Sequence, residues 1–267
     1  MGVLNVTPDS FYDGGRYLDH DLAIQRGLEM VAEGADIIDV GGESSRPGAE
    51  SVPPDEECRR ILPVVAALAR DVRVSVDTMK PEVARAAVGE GATLLNDVGS
   101  SLAALAAELG VGIALMHMLG TPKTMQRSPH YDDVVEEVTS YLADVAGQAK
   151  ALGVEEVYVD PGIGFGKRLA DNVALLQALP SLVDHGVPVM VGTSRKSFLA
   201  TLSKEKGAPL LGPEDRFEGS LATAVWSMAC GAAMVRVHDV AATAMAALLL
   251  GASAAPDSDE MQSGSVR

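Results

Sequence analysis

Short hydrophobic runs that end in a polar residue recur eight times along the chain, and segments with a helical spacing of apolar residues lie between them. The helical spacing is seen at Ile24, Leu28, Val31 and Ala35, and again at Leu102, Leu105 and Leu109. The polar residues that close the eight runs are Asn5, Asp39, Asp77, Asn96, His117, Asp160, the segment from Ser194 to Lys196, and the pair Arg236 and His238. This alternation predicts eight strand–helix units.

Eight such units in 267 residues agree with the roughly 250 residues of a typical (β/α)8 barrel, which folds as one domain. We therefore predict an α/β fold, a single TIM barrel over residues 1–251, with its active site at the carboxyl-terminal ends of the strands. The last segment, 252–267, is rich in small and polar residues without periodicity. We expect this tail to be disordered.

Composition and charge limit the possible partners. Hydrophobic residues make up 47% of the chain, yet no apolar run approaches the roughly 18 residues of a membrane span. No basic segment followed by an apolar stretch opens the chain, so we expect no secretory signal and a cytoplasmic protein. The formal net charge of −16 and the pI near 4.6 argue against a nucleic-acid partner. An anionic ligand would need locally concentrated cations.

The chain has two cysteines, Cys58 and Cys230, each within a segment of helical pattern. They lack the CxxC spacing and the neighbouring histidines of a metal site. We expect both to be buried small hydrophobic residues with no redox role.

Polar residues at the ends of barrel strands converge on one face of the molecule. Asp77, Asn96 and Asp160 close the third, fourth and sixth predicted strands. A carboxylate accepts two parallel N–H bonds and an amide both donates and accepts, so these groups suit the edge of an amino-pyrimidinone ring. For any one of them an ordinary loop hydrogen bond or a helix cap is an equal alternative, and Asp97 is readily explained as part of a turn.

The glycine-rich segment DPGIGFGK at 160–167 invites comparison with phosphate loops. The spacing from Gly162 to Gly166 is too short for a Walker motif, and Arg168 stands where Ser or Thr would hold magnesium. The spacing also fails for a dinucleotide fingerprint. We interpret the glycines as allowing the backbone to approach a ligand closely, with Phe165 as an apolar wall.

Two later segments concentrate cations and hydroxyls. In SRKS at 194–197, the start of a predicted helix together with Ser197 suits a carboxylate, and Lys196 is able to reach inward. A helix cap is the alternative for Ser194 and Ser197. Arg236 and His238 are two apart and therefore on one face of the last strand. Barrels often bind phosphate after strands seven and eight, although a lone histidine is more often structural.

Two long loops, 5–17 and 41–54, are rich in glycine, proline and polar residues. Such loops are candidate lids. Each contains a possible ligand-binding residue, Phe11 in the first and Arg46 in the second.

The motifs MGVLNVTPDSFYDGG, IIDVGGESSRPGA, SVDT, LLNDV, LMHM with TPKTMQ, DPGIGFGK, VGTSRKSFL and RVHDV together resemble the dihydropteroate synthase family. They occur in the family's order and span nearly the whole chain. The resemblance implies a TIM barrel that joins 6-hydroxymethyl-7,8-dihydropterin pyrophosphate to 4-aminobenzoate, with Mg²⁺, in folate biosynthesis. It also implies a sulfonamide target and a homodimer.

The resemblance assigns roles to individual residues. The implied pterin pocket is formed by Asp77, Asn96, Met116, Asp160 and Lys196. The implied pyrophosphate site is formed by Asn5, Ser45, Arg46, Arg236 and His238, with Asn5 also at the magnesium ion. The implied aminobenzoate pocket is formed by Phe11, Pro47, Phe165, Lys196 and Ser197. The residues expected to act in catalysis are Asp77, Lys196, Arg236 and His238.

Two other functions remain as alternatives. Corrinoid-linked methyltransferases share the pterin-binding barrel and its Asp/Asn set, but the segments SFYDGG, SSRPG and SRKSF favour pyrophosphate and aminobenzoate chemistry. A paralogue that binds pterin without catalysis is suggested by the segment after Asn96, which is several residues shorter than the usual family loop. All of the motif residues are intact, which favours the synthase.

Overall fold

The computed structural model describes residues 1–7, 19–44, 51–121, 123–205, 207 and 209–252. Within these residues, eight parallel strands alternate with helices, as the hydrophobic pattern predicts. The strands are β1 (Gly2–Asn5), β2 (Ile37–Gly41), β3 (Arg73–Asp77), β4 (Leu94–Asp97), β5 (Gly112–Met116), β6 (Val157–Asp160), β7 (Met190–Val191) and β8 (Met234–Val235). Each coincides with one of the predicted runs.

The helices follow the strands in chain order. They are α1 (His20–Ala32), α2 (Pro54–Leu68), α3 (Pro81–Gly89), α4 (Ala103–Leu109), α5 (Val134–Ala151), α6 (Leu169–Gln177), α7 (Leu179–Val183), α8 (Ser197–Glu205), α9 (Phe217–Ala229) and α10 (Val240–Ala252). A 3₁₀ helix at Pro213–Arg216 precedes α9. Local signals set several of these starts: the side chain of Asp19 accepts a hydrogen bond from the Leu22 amide, and Asp133 caps α5 in the same way.

The strands close into a ring. Strands β1 to β6 pair in sequence order, and β7 pairs with β8. Single bridges join the two groups, Val159 with Val189 at one seam and Gly2 with Val237 at the other. At the second seam the Val3 amide donates to the Val237 carbonyl at 2.9 Å and the Val237 amide donates to the Met1 carbonyl at 3.0 Å. The predicted (β/α)8 barrel is confirmed.

The lower part of the barrel interior is filled by apolar side chains. A cluster of Met1, Ile37, Leu94, Ala114 and Met190 forms this plug, and a larger core lies between the strands and the helices. Side chains two residues apart on a strand share a face. The inward positions above the plug are therefore those near the strand ends, where the polar residues lie.

The prediction for α1 needs a correction. The helix buries Ala23, Gly27 and Met30, whereas Leu28 is 42% exposed. Gly27 lies so close to Leu68 of α2 that an added Cβ would be 2.6 Å from its Cδ1. Gly27 thus permits the close approach of α1 and α2. The helix therefore turns the face with Ala23, Gly27 and Met30 towards the core, instead of the predicted face with Leu28. For α4, the predicted stripe is confirmed by the burial of Leu105 and of Leu102, the residue that precedes the helix.

Other expectations have mixed outcomes. Both cysteines are free and half-buried, less buried than expected, and desolvation raises the pKa of each thiol. Apart from Ala252, the last residue of α10, the tail predicted to be disordered lies outside the described residues. No helix in the described ranges is long and apolar enough to span a membrane.

Candidate active site

The strand register brings the predicted polar residues to one edge of the sheet. Asp77 on β3 is aligned with Asn96 on β4, and Met116 on β5 is aligned with Asp160 on β6. Asn5 ends β1 and is half-buried. All of these residues lie at the carboxyl-terminal ends of their strands, which is where barrel enzymes have their active sites. The predicted residues Phe11, Ser45, Arg46 and Pro47 lie outside the described part of the chain.

Arg236 connects the last strand to the second and third strands. Its Nη2 donates to Oδ2 of Asp77 at 2.8 Å, and its Nε donates to Oδ2 of Asp39 at 2.6 Å. The same oxygen of Asp39 accepts a bond of 2.9 Å from Nδ2 of Asn96. The sequence pattern pointed to Asp39 only as the polar end of a run. The missed signal was its place inside β2, because a charged residue within a buried strand needs a partner.

Burial shifts the pKa values of the charged groups in this cluster. Desolvation raises the pKa of Asp77 to about 7, against the opposing effect of Arg236. It likewise raises the pKa of Asp160 and lowers the pKa of Lys196 to about 8. Although burial disfavours its charge, Asp39 and Asp77 hold the pKa of Arg236 above its ordinary value. Ionisable groups displaced towards neutral pH are typical of sites that move charge.

The glycine-rich segment has a different packing role from the predicted one. Gly162 and Gly166 adopt positive φ angles of 65° and 61°. An added Cβ would lie 1.9 Å from the His117 carbonyl oxygen at Gly162, and 2.6 Å from that of Leu119 at Gly166. These two glycines therefore admit the backbone of the loop after β5 rather than a ligand. The Gly162 amide also donates to Oδ1 of Asp160 at 2.7 Å, which fixes that carboxylate.

Lys167, to which no role was predicted, is buried at the base of this segment. Its Nζ contacts Nδ1 of His117 at 2.9 Å and donates to the carbonyls of Gly162 at 3.0 Å and Phe165 at 3.1 Å. Desolvation lowers the pKa of Lys167 to about 7, and desolvation together with the Lys167 charge lowers the pKa of His117 to about 3. A neutral His117 thus accepts from Lys167, and the pair ties the loops after β5 and β6 together.

Lys196 reaches inward, as predicted from the SRKS segment. Its Nζ donates to the Ile163 carbonyl at 2.6 Å and lies 4.6 Å from the centroid of the Phe165 ring. This is the distance of a cation–π contact. Ser197 is the first residue of α8 and is exposed. Lys196 and Phe165 therefore pack together at one side of the site, and Ser197 follows Lys196 in the chain.

The prediction that Arg236 and His238 share one face of the last strand needs a correction, because β8 ends at Val235 and both residues follow it. Arg236 turns into the barrel towards Asp39 and Asp77, whereas His238 turns towards the loop after β7. The Ser194 hydroxyl accepts from the His238 amide at 3.1 Å and lies 3.0 Å from its Nδ1. Ser194 thus positions His238 rather than serving only as a helix cap. Between Ser194 and Lys196, Arg195 has a φ of 58° and is anchored by Asp239 at 2.7 Å. Arg195, with its left-handed backbone, lies between Ser194 and Lys196 in the loop that joins β7 to α8.

The two stems of the second predicted lid are joined. Oε2 of Glu43 accepts from the Val52 amide at 2.7 Å and from Nζ of Lys80 at 2.5 Å. Lys80 also pairs with Glu57, which is fully buried in α2. The described residues on either side of 45–50 are thus held together at Lys80, which follows β3.

The family model described as pterin binding enzyme matches residues 1–238, so the acids, the amide and the bridging arginine at the ends of the barrel strands belong to a pterin-binding enzyme. The chain is 47% identical over 261 residues to dihydropteroate synthase of Mycobacterium leprae, covering 94% of this chain and 92% of that protein. The chain therefore belongs to the dihydropteroate synthase family. The resemblance seen in the motifs is confirmed, and the protein is a transferase.

Solved structures agree with this assignment. Dihydropteroate synthase of Xanthomonas albilineans with 4-aminobenzoic acid has a TM-score of 0.86 and 46% identity, covering 96% of this chain and 93% of that one. The same enzyme in complex with 7,8-dihydropteroate has a TM-score of 0.83 and 43% identity, covering 96% and 94%.

Proposed function

We propose that the protein condenses 6-hydroxymethyl-7,8-dihydropterin pyrophosphate with 4-aminobenzoate, giving 7,8-dihydropteroate and pyrophosphate in folate biosynthesis. The observation that carries this proposal is the buried group of Asp77, Asn96 and Arg236, joined through Asp39 at the ends of the strands. Relatives with this fold and extensive identity have been solved with 4-aminobenzoic acid and with 7,8-dihydropteroate.

The pterin ring is assigned to Asp160, Asn96, Asp77, Met116 and Lys196. Asp160 has one oxygen fixed by the Gly162 amide at 2.7 Å, and its other oxygen is the acceptor for ring N–H groups. Asn96 has its NH₂ group on Asp39, so its Oδ1 is the second acceptor. Lys196 approaches from the loop after β7. Acceptors and a donor on separate strands thus surround one flat polar ring.

The chemical step is loss of pyrophosphate before nucleophilic attack. Asp77 faces the developing positive charge on the pterin methylene carbon, and a preorganised carboxylate stabilises such charge. Arg236 uses Nε and Nη2 for its two carboxylates, and its Nη1 is the donor for the leaving group. The amine of 4-aminobenzoate then attacks the methylene carbon. A covalent enzyme intermediate is unnecessary.

The leaving diphosphate is assigned to Arg236 and His238, with Asn5, Ser45 and Arg46 also in contact. Arg236 and His238 lie just after the last strand, and Asn5 ends the adjoining first strand. Close charge pairs outweigh distant charges that are screened within roughly 10 Å. A local group of donors therefore overcomes the repulsion from a net charge of −16.

Magnesium fits this site as a partner of the diphosphate. Asn5 offers an amide oxygen, and Mg²⁺ is usually held by one or two protein groups together with substrate phosphates and water. Among the described residues, no group of three His, Cys, Asp or Glu side chains is close enough to hold a metal ion. Substrate oxygens would therefore provide most of the ligands. Bound magnesium would neutralise charge on the leaving group.

The aminobenzoate is assigned to Phe165, Lys196 and Ser197, together with Phe11 and Pro47 of the two long loops. Phe165 presents a half-buried aromatic face beside the Lys196 ammonium. The exposed Ser197 lies at the start of α8, where backbone N–H groups favour a carboxylate. This arrangement suits an aromatic ring that bears a negative charge at one end.

A homodimer formed through α9 and α10 is part of the proposal. Trp226 is 48% exposed, and Met245, Leu248 and Leu249 are 58%, 69% and 67% exposed. The α10 sequence VAATAMAALLLGA contains no charged residue. An exposed apolar patch of this kind usually marks an interface. Sedimentation analysis should show a dimer that L248E dissociates, while L152E, at the exposed residue that follows α5, leaves it intact. We retain the cytoplasm as the proposed location.

A steady-state assay with both substrates tests the reaction. We expect pyrophosphate and dihydropteroate to form in equal amounts. Methyl transfer to a corrinoid protein without pyrophosphate release would favour the methyltransferase. Pterin binding without turnover would favour the non-catalytic paralogue. Either result would overturn the proposal.

A further inference from the structure

Asp39 lies one layer below the proposed substrates. It is the third residue of β2 (Ile37–Gly41), is 0% exposed, and is aligned with Val3 on β1 and Ser75 on β3. Because side chains alternate along a strand, Asp39 faces the barrel interior with Ser75, two residues before Asp77. The Asp39 carboxylate is closed off from solvent, and its hydrogen-bond donors are Asn96 and Arg236.

A single oxygen of Asp39 serves two of the residues assigned to the substrate. Oδ2 accepts from Nε of Arg236 at 2.6 Å and from Nδ2 of Asn96 at 2.9 Å. The first of these residues follows β8 and the second belongs to β4, so Asp39 joins two parts of the ring that are not neighbours. Among the described residues, the buried Oδ1 of Asp39 and the buried Oγ of Ser75 have no hydrogen-bond partner. Buried polar atoms are rarely left unpaired outside functional sites.

The contact with Asp39 determines what Asn96 presents to the site. A carboxylate accepts only, so the Asn96 group that faces it must be the NH₂ group. The Asn96 carbonyl oxygen therefore points away from Asp39. Rotation of the Asn96 amide would place its carbonyl oxygen against Oδ2 of Asp39. It would also present the NH₂ group, a donor, to the site in place of the carbonyl oxygen, an acceptor. Asp39 thus sets the hydrogen-bonding polarity of Asn96.

Asp39 also keeps Arg236 in place while its other partner changes role. Asp77 forms the second ion pair of Arg236 at 2.8 Å, and it also faces the developing positive charge in the proposed reaction. When substrate is bound, Asp77 therefore interacts with both Arg236 and the pterin methylene carbon. Asp39 is not assigned to any substrate, so it interacts with Arg236 in the same way before and during the reaction. The guanidinium plane is then held from below at Nε throughout the reaction.

We propose that Asp39 is a positioning residue, which fixes the amide orientation of Asn96 and the guanidinium of Arg236 for the pterin and its diphosphate. This inference rests on the proposed function. It adds a residue that is not assigned to substrate contact. It predicts that changes at Asp39 affect the binding of the pterin substrate but not the binding of 4-aminobenzoate.

The test compares D39N with D97N as the matched control. Asp97 is also a buried carboxylate, but it accepts from the amides of Gly99, Ser101 and Leu102 at the start of α4 and not from a site residue. Wild-type turnover is measured first, so that failure of the proposed function is separated from failure of this inference. We then measure kcat, both KM values, the pH profile and thermal stability of each variant.

For D39N, we expect kcat to fall about 10²-fold, as small displacements of catalytic groups commonly do. The KM for pterin pyrophosphate should rise, and the KM for 4-aminobenzoate should stay unchanged. The acidic limb of the pH profile should move to lower pH. This follows because Asp77 is faced by Arg236, Lys196, Asp39 and Glu57, and the Asp39 charge raises its pKa. D97N should lower thermal stability and leave both KM values and the pH profile unchanged.

A second variant separates position from charge and also serves if D39N does not fold. D39E keeps the negative charge but moves it by one methylene. A positioning role predicts that D39E also loses kcat and raises the KM for the pterin substrate. Equal loss in D39N and D97N without a change in KM or pH profile, or wild-type kinetics in D39E, would overturn the inference.

Discussion

Arg236 and Asp77 are joined by an ion pair of 2.8 Å although 159 positions separate them in the chain. Arg236 also pairs with Asp39 at 2.6 Å, so one guanidinium lies between two carboxylates inside the barrel. Removing one partner of a buried pair leaves an uncompensated charge, which commonly costs about 3–5 kcal/mol. Arg236 therefore supports both the folded state and the proposed reaction.

The substitution R236A should impair both properties. We expect pyrophosphate release at saturating substrates to fall on the order of 10²–10³-fold, because a charge-assisted donor to the leaving group is lost. The melting temperature should fall as well. R236K keeps the charge but lacks the planar group that reaches two carboxylates. It should retain more stability than R236A and little more activity. Wild-type turnover in either variant would remove Arg236 from the catalytic group.

The ionisation of Asp77 should appear in the pH profile. Burial raises its pKa to about 7 from an ordinary value of 3.8. If the ionised form stabilises the pterin cation, kcat/KM should rise with pH up to about 7 and then level off. D77N should be weakly active and lack this limb. The folded state binds the Asp77 proton more tightly than the unfolded state does. The contribution of Asp77 to the free energy of unfolding should therefore fall as pH rises from its ordinary pKa of 3.8 to about 7. Chemical denaturation at several pH values measures this contribution.

D160N should weaken pterin binding. The Gly162 amide, which donates to Oδ1 at 2.7 Å, would hold the amide oxygen and direct the NH₂ group at the ligand donors. The expected cost is about 1–3 kcal/mol of binding free energy, measured by calorimetry with a pterin analogue. D171N is the control, because Asp171 accepts from the Arg168 amide at the start of α6 and contacts no proposed substrate residue. Equal affinity in D160N and wild type would contradict the pterin assignment.

K167M should separate loop support from direct substrate contact. The methionine would fill the buried space but leave Nδ1 of His117 and the Phe165 carbonyl without the Nζ donor, whereas the Gly162 carbonyl would keep the Phe165 amide as a donor. Each unsatisfied buried acceptor costs about 1–3 kcal/mol, so thermal stability should fall. The KM for 4-aminobenzoate should rise because the Phe165 backbone loses its anchor. K150M on the exposed face of α5 should match wild type in both measurements. A stability loss without a KM change would limit Lys167 to a structural role.

Substrate binding should protect the two predicted lids from hydrogen exchange. We expect the amides of residues 6–17 and 42–54 to exchange more slowly when pyrophosphate, Mg²⁺ and a pterin are added together. Phe11 and Pro47 should then pack over the aminobenzoate. Amides of the α5 helix are the internal reference. Identical exchange in the free and bound states would show that these loops do not close on the substrates.

The sequence pattern predicted the strand ends well because a barrel converts chain order into spatial order. Once Asp77, Asn96 and Asp160 are placed at strand ends, the register requires them to share one face. The inward reach of Lys196 also follows, since it lies in the short loop between the end of β7 and the start of α8.

Contacts between distant segments were not predictable in the same way. Asp39 owes its role to Arg236, which is 197 positions away and approaches from across the ring. Lys167 follows a glycine-rich loop and would ordinarily be exposed, yet it is only 3% exposed because three carbonyls and His117 surround it. The buried face of α1 was predicted wrongly because the distance between α1 and α2 depends on the contact of Gly27 with Leu68. These are properties of packing rather than of local pattern.

The closure of the ring by single bridges has a consequence for the order of assembly. Strands β1 to β6 form a continuous sheet, whereas β7 and β8 pair over only two residues each and join it at one bridge on each side. The closing bridge joins Gly2 to Val237, near the two ends of the described chain, and contacts between distant segments close with a greater loss of chain entropy. We therefore expect the last quarter of the barrel to dock onto a preformed arc. Arg236 and His238 belong to that quarter, so nascent chains that have not docked it would have a pterin edge but would lack these two groups for binding the leaving diphosphate.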